Sequence, residues 1–325
     1  MVDQFGRVID YIRISVTDRC NLRCLYCMPE DGVEKCGHSD ILTYDEIVRL
    51  GRIFVKLGIH HIKLTGGEPL VRRNLSCLVK SLKAIPGIQT VTLTTNGLLL
   101  KDQMPKLYDA GIDAVNISLD TLDRAMYAKI TRRDRLLQAL DGIRAVCAYP
   151  DVRLKLNCVP QKGLNDNQWV KMAAIAKNHP IDVRFIEMMP IGLGKEYSGQ
   201  TEDEILSVLE KAFGPYKHLE GHFGNGPGTY VYFSGFQGKI GFISAISHKF
   251  CSSCNRIRLT SEGYLKLCLQ YGDGLDLRAL LRSDADDGQI LQAVEKAVRL
   301  KPESHHFNQG EEENFEQKQM FRIGG

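Results

Sequence analysis

Residues 8–27 read Val-Ile-Asp-Tyr-Ile-Arg-Ile-Ser-Val-Thr-Asp-Arg-Cys-Asn-Leu-Arg-Cys-Leu-Tyr-Cys. The first part is rich in β-branched residues and reads as a strand, Val8–Ser15. The second part sets Cys20, Cys24 and Cys27 in a C-x3-C-x2-C pattern just beyond that strand's C-terminal end. Chemistry-bearing residues in that position, repeated on successive strands, mark a barrel active site. An open doubly wound sheet gathers them at one switch point instead.

Working outward, further strands are expected at His60–Leu64, Thr90–Thr94, Ala114–Ser118, Arg153–Val159 and Val183–Ile186. Amphipathic helical stretches separate them, near Tyr44–Leu57, Leu75–Ala84, Asp102–Ala110, Leu136–Ala148 and Asn167–Lys177. Thr43 and Glu46 form a capping-box pattern ahead of the first helix. Polar motifs follow nearly every strand: Gly66-Gly67-Glu68-Pro69, Thr95-Asn96-Gly97, Ser118-Leu119-Asp120 and Glu187-Met188-Met189. Lys155 and Asn157 lie within the fifth strand. The fold class expected is α/β, a partial (β/α)6 TIM-type barrel.

After Pro190 the pattern changes. A helix is expected near Glu202–Phe213, a Gly-rich turn over Gly221–Gly228, and antiparallel strands at Thr229–Phe233 and Lys239–Ile246. Helices follow near Leu275–Leu281 and Gln289–Leu300, then a polar, acidic tail ending Gly324-Gly325. The expected organisation is a barrel over 1–225 and a C-terminal α+β extension over 226–325.

The extension carries a second cysteine group, Cys251, Cys254 and Cys268, spaced C-x2-C-x13-C. Each group offers three thiolates, one short of a closed structural zinc site. On a four-iron cluster, three cysteines leave one iron open to a ligand. Zinc remains an alternative, with His38 as fourth ligand in the first group and His248 or water in the second. Cys36, Cys77, Cys147 and Cys158 are scattered and read as small buried or incidental thiols.

Composition bounds the function. Against 39 acidic residues stand 42 Lys and Arg, a net charge of +3, too small for nucleic-acid binding by bulk electrostatics. No apolar run is long enough to span a membrane, and the N-terminus lacks a signal-peptide core. A cytoplasmic protein is expected. In that reducing compartment ten cysteines point to metal or catalysis before disulfides.

Cys-Asn-Leu-Arg-Cys-Leu-Tyr-Cys, followed by Gly66–Pro69 after the second strand, resembles the signature of the radical S-adenosylmethionine (SAM) superfamily. Phe-Cys-Ser-Ser-Cys-Asn-Arg-Ile-Arg, Cys268 and the Gly-Gly terminus are similar to the branch that cyclises GTP in molybdenum cofactor biosynthesis. The resemblance implies two 4Fe-4S clusters, on Cys20, Cys24 and Cys27 and on Cys251, Cys254 and Cys268, with SAM on the first open iron and guanine on the second. It implies SAM contacts from Tyr26, Gly67, Ser118 and Met189. It implies GTP contacts from Arg13, Lys63, Thr94, Lys155, Arg256, Ile257 and Arg258. Gly324 and Gly325 would reach into the active site and support the radical step. Lys63 departs from the Arg usual at its position, keeping the charge but losing the bidentate fork.

The same resemblance implies GTP as substrate and an electron-transfer protein or other reductant. Downstream it implies a cyclic pyranopterin monophosphate synthase. It allows a homodimer, with no nucleic acid or membrane partner. Two other classes are weighed beside it. A radical SAM peptide-modifying enzyme usually has more cysteines in a longer extension. A non-enzymatic zinc module leaves the barrel-mouth motifs unexplained.

Overall fold

The computed structural model describes residues 1–32, 37–307 and 314–324. The front of the chain alternates β1 (Tyr11–Ser15), α1 (Tyr44–Lys56), β2 (His61–Thr65), α2 (Leu75–Lys83), β3 (Thr90–Thr95) and α3 (Leu100–Asp109). It continues with β4 (Ala114–Ser118), α4 (Arg124–Thr131), α5 (Leu136–Cys147), β5 (Arg153–Cys158), α6 (Trp169–Asn178) and β6 (Asp182–Ile186). β1 to β6 lie side by side and parallel, the six strands of a partial barrel. The capping box forms, with the Thr43 hydroxyl accepting from the Glu46 N–H at 3.1 Å.

Period-two alternation divides the barrel into two surfaces. Ile12, Ile14, Ile62, Leu64, Val91, Leu93, Val115, Ile117, Leu156, Val183 and Phe185 are buried in the apolar core cluster that the helices cover. The intervening residues are mostly polar, Ala114 and Ile186 excepted, and line a cavity. An ordinary TIM barrel fills its interior with branched side chains. Here the interior is left open because those positions are Arg, Lys, Thr, Asn and Ser.

The C-terminal region adds α7 (Glu202–Phe213), β7 (Tyr216–Leu219), β8 (Thr229–Phe233), β9 (Ile240–Ile243), β10 (Arg256–Leu259), β11 (Tyr264–Lys266) and β12 (Gly274–Asp276). It ends with α8 (Leu277–Leu281), α9 (Asp287–Arg299) and α10 (Met320–Ile323). The expected antiparallel pair β8–β9 forms. In addition β9 joins β6 in parallel, and β10 joins β1 in parallel. The result is one twelve-stranded sheet in which the extension flanks the barrel at both edges.

Several details differ from the sequence expectations. β1 starts at Tyr11, because Val8 pairs with Val2 in a separate antiparallel bridge. The helix expected from Leu275 starts at Leu277, where the Asp276 carboxylate caps it by accepting from the Ala279 N–H at 2.9 Å. Helix α4 was not anticipated. It is eight residues long, capped by Asp123, and buries Tyr127 and Ile130 at helical spacing. Among the described residues no helix is long and apolar enough to cross a membrane.

Candidate active site

Sheet register sets the cationic character of the cavity. Arg258 on β10 lies beside Arg13 on β1, which lies beside Lys63 on β2. Thr92 continues this row on β3. One step toward the strands' C-terminal ends, Thr94, Asn116 and Lys155 form another row. All seven side chains, with Arg153, Arg184 and Arg256, line a cavity of about 310 Å³. That volume suits a small-molecule site.

These cations destabilise one another. Burial lowers the pKa of Lys63 well below its ordinary 10.5, and Arg184, Arg13 and Lys155 push the same way. Burial, then Arg13 and Arg256, lower that of Arg258 well below its ordinary value. A site of this kind gains most from an anion carrying several charges. Lys63 and Arg184 both donate to the Asn116 amide oxygen. Lys155 is held by the Phe223 carbonyl at 2.5 Å, the Tyr230 hydroxyl at 2.7 Å and Asp182 at 3.4 Å. Ile257 stands apart from its neighbours: its side chain is 1% exposed and belongs to the apolar core on the other face of β10.

The first cysteine triad occupies the loop after β1, and all three cysteines line the cavity. The end of α4 holds that loop: the Leu25 N–H donates to the Ile130 carbonyl at 2.9 Å and the Arg23 N–H to that of Thr131 at 3.0 Å. Burial lifts the Cys20 thiol to about 11 and the Cys27 thiol to about 12. Cys24 is raised well above 9, by burial first and then by Cys27 and Cys20. Three partly buried thiolates that repel one another require a compensating cation. The Leu22 N–H donates to Cys20 Sγ at 3.4 Å, and the Asn96 amide approaches the same sulfur at 3.9 Å.

The turn after β2 presses against that loop. A Cβ on Gly67 would lie 2.5 Å from the Arg19 carbonyl oxygen, so only glycine fits. Glu68 accepts from the Leu70 N–H, the Thr95 hydroxyl and the Asn96 N–H. Tyr26 donates to Asp120 at 2.7 Å. Tyr26, Gly67, Ser118 and Met189 all line the same cavity.

The second triad sits at the opposite end of the barrel. Cys251 and Cys254 precede β10, whose Arg256 pairs with Tyr11 at the start of β1, and Cys268 follows the antiparallel β11. Its cysteines influence one another electrostatically. Cys254, although burial opposes its ionisation, is brought down to about 7 by Arg256 and Lys301. β1 is therefore a spacer between the triads: its five residues span roughly 16 Å at ~3.3 Å each.

The donor sets fit iron–sulfur clusters. Each offers three soft sulfur ligands that interact electrostatically with one another, with N–H groups or cations turned toward sulfur. Among the described residues no group of three or more His, Cys, Asp or Glu is arranged to grip a single metal ion. Cys36, the side chain of His38, and Gly325 lie outside the described residues.

One part of the cavity was not read from the sequence. Phe223 to Pro227, in the Gly-rich turn, close it at the strands' N-terminal ends. There the Asn225 amide donates to Thr90 at 2.7 Å. Glycine content signalled a turn but not its destination. The tail, whose Gly-Gly end the resemblance places in the active site, adds two lining residues that were not expected. Met320 and Phe321 line the cavity from the first-triad end, and the Gly324 carbonyl accepts from Arg258 at 2.5 Å. Gly324 has φ +79°, and a Cβ there would press on Ser15 and Thr65 at 3.2 Å. Arg184 and Asn116 were missed because a lone polar residue in a strand has no motif.

The barrel and its first cysteine loop define a radical SAM enzyme: the Radical SAM superfamily profile matches residues 14–176. A second profile, Molybdenum Cofactor Synthesis C, matches residues 181–307. The chain is 42% identical over 325 residues to a GTP 3′,8-cyclase of Clostridium perfringens, covering 100% of both chains. It is 42% identical over 328 residues to that of Moorella thermoacetica, again covering 100% of both. The chain belongs to the GTP 3′,8-cyclase family of radical SAM enzymes, whose cofactors are 4Fe-4S clusters and SAM. In fold it is similar to Streptococcus suis SuiB bound to S-adenosylmethionine, with a TM-score of 0.59 and 14% identity. That match covers 90% of this chain and 66% of the SuiB chain.

Proposed function

We propose that this chain converts GTP to 3′,8-cyclo-7,8-dihydro-GTP, the first step of molybdenum cofactor biosynthesis. The observation that carries the reading is the inward row Arg258–Arg13–Lys63, in one cavity between two cysteine triads. Cys20, Cys24 and Cys27 would hold the first cluster, and Cys251, Cys254 and Cys268 the second. When bound, these groups and SAM supply an electron, a 5′-deoxyadenosyl radical and a ligand site for guanine.

The protein's own part is binding, orientation and exclusion of water. The triphosphate would neutralise Arg13, Lys63, Arg256 and Arg258, relieving their mutual repulsion. Lys63, joined to Asn116, would give a point charge rather than a fork. Lys155 is held by Phe223, Tyr230 and Asp182, so it would act from a fixed position. Thr94, whose hydroxyl is buried without a partner, would turn it to GTP. Ile257 would contribute through its backbone alone. Gly67, Tyr26, Ser118 and Met189 would line the SAM half, keeping its reactive carbon close to C3′ of the ribose. Gly324, and Gly325 beyond it, would close the site over the reacting atoms.

The division near residue 225 is then one of labour: the barrel carries the SAM half and the extension the guanine half. A low-potential electron donor and the synthase that forms cyclic pyranopterin monophosphate are the further partners proposed. The test is anaerobic incubation of reconstituted protein with SAM, GTP and dithionite, followed by mass spectrometry. Equal formation of 5′-deoxyadenosine and cyclised nucleotide is expected. Deoxyadenosine without cyclised nucleotide would remove GTP as the substrate.

A further inference from the structure

Residues 301–306 lie outside the GTP cavity, yet their contacts converge on the second cysteine triad. Lys301 is 2% exposed. Its ammonium donates to the carbonyl of Leu267, the residue before Cys268, and its charge interacts with Cys254 and Cys268. The Pro302 and Glu303 carbonyls each accept from the Arg7 guanidinium at 2.7 Å. The same guanidinium donates to the Cys251 carbonyl at 2.9 Å and is fixed by buried Asp3 at 2.6 Å. The backbone N–H of His305 favours the Cys251 thiolate. That of His306 is held at 2.5 Å by Gln270, two residues beyond Cys268. One six-residue segment thus touches the surroundings of all three cysteines, with a buried cation at its start.

We infer that residues 301–306 form a strap that positions the second iron–sulfur cluster, and that the buried Lys301 ammonium raises this cluster's reduction potential. The inference rests on reading Cys251, Cys254 and Cys268 as cluster ligands. Reduction adds one negative charge to a cluster, and a cation buried beside it stabilises that added charge. The carbonyls of Leu267 and Cys251 fix the backbone from which two of the three thiolates project, so loosening either changes ligand orientation. Lys301 does not line the cavity. It is a positioning residue, distinct from the cations of the cavity.

The experiment uses reconstituted full-length protein, unchanged and as Lys301→Met and Lys301→Arg. Iron and sulfide are quantified, and each cluster is titrated electrochemically with detection by electron paramagnetic resonance. The first cluster serves as internal reference. Lys301→Met is expected to lower the second cluster's midpoint while leaving the first unchanged, and Lys301→Arg to restore most of the difference. An unchanged second midpoint in fully loaded Lys301→Met overturns the inference, as does an equal shift in both variants. If Lys301→Met fails to retain the second cluster, retention in Lys301→Arg supports the strap, and loss in both overturns it. Unchanged protein that holds only one cluster overturns the underlying ligand assignment, a failure read directly from its iron content.

Discussion

Glu68 is buried, and although it accepts three hydrogen bonds its carboxyl is lifted from 4.5 to about 7, with burial the largest cause. The unfolded chain keeps the ordinary value, so between these limits the native state binds the extra proton. The associated stability is complete below pH 4.5 and is lost as pH rises through about 7. Asp120, lifted from 3.8 to about 6, acts in the same direction. Glu68→Gln abolishes this titration but sets a donor against the Asn96 N–H. The apoprotein variant should be less stable in mild acid by about 1–3 kcal/mol. It should also lose less stability on going to neutral pH. Urea unfolding in both buffers measures this, and identical pH slopes for the two proteins would reject it. At neighbouring Gly67 the constraint is steric, since the Arg19 and Asp18 carbonyl oxygens lie 2.5 and 2.6 Å from where a Cβ would stand. Gly67→Ala should weaken SAM binding to reconstituted protein at least tenfold, about 1.4 kcal/mol, by equilibrium dialysis. Normal affinity would show that the turn can shift. Gly67 was legible because a glycine pair after a strand is punctuation with a motif around it. The partners of Lys155 were not, because Phe223 and Tyr230 are far from it in sequence.

Short elements decide whether the site is closed. Helix α10 has four residues, too few to hold itself, and depends on docking. Phe321 is 2% and Ile323 0% exposed, Gln319 accepts from the Leu193 N–H at 2.9 Å, and Glu316 pairs with buried Lys266. Phe321→Ala removes the largest of these anchors, a change that costs about 3–5 kcal/mol in a packed core. Undocking the tail is the cheaper response. Cyclised nucleotide should therefore fall more than tenfold, while 5′-deoxyadenosine formation and GTP affinity change much less. Parallel loss of all three would mean that the substitution damages the whole site. The six barrel strands were legible within a few residues because their outward faces are rich in β-branched and aliphatic residues. Helix α4 was not, since only two of its eight residues, Tyr127 and Ile130, are large buried apolar side chains, which gives little periodicity. The pairing of β10 with β1 could not be read either, because strand register is set by tertiary contacts between segments far apart in sequence.

At the scale of the molecule, a chain that reads as a barrel plus an extension has folded into one sheet. β10 covers the β1 edge and β9 the β6 edge, so the barrel has no free edge of its own. Ile240, Phe242, Ile257 and Leu259 are 0–2% exposed within the same core cluster as the barrel's outward residues. The division expected near residue 225 is therefore not a boundary in the sheet. A fragment of residues 1–225 would expose two apolar strand edges, the geometry that promotes association with other chains. It should aggregate or lack a cooperative transition, whereas the full apoprotein should unfold in one calorimetric step. A monomeric fragment with its own sharp transition would show that the barrel is self-sufficient. The site gives a reason for the continuity. Arg258 on the extension must stand beside Arg13 and Lys63 on the barrel, and only hydrogen-bonded strands in register fix three cations so closely before an anion arrives. Two domains joined by a linker would let that row relax apart under its own repulsion, whereas a continuous sheet keeps it assembled for an anionic ligand.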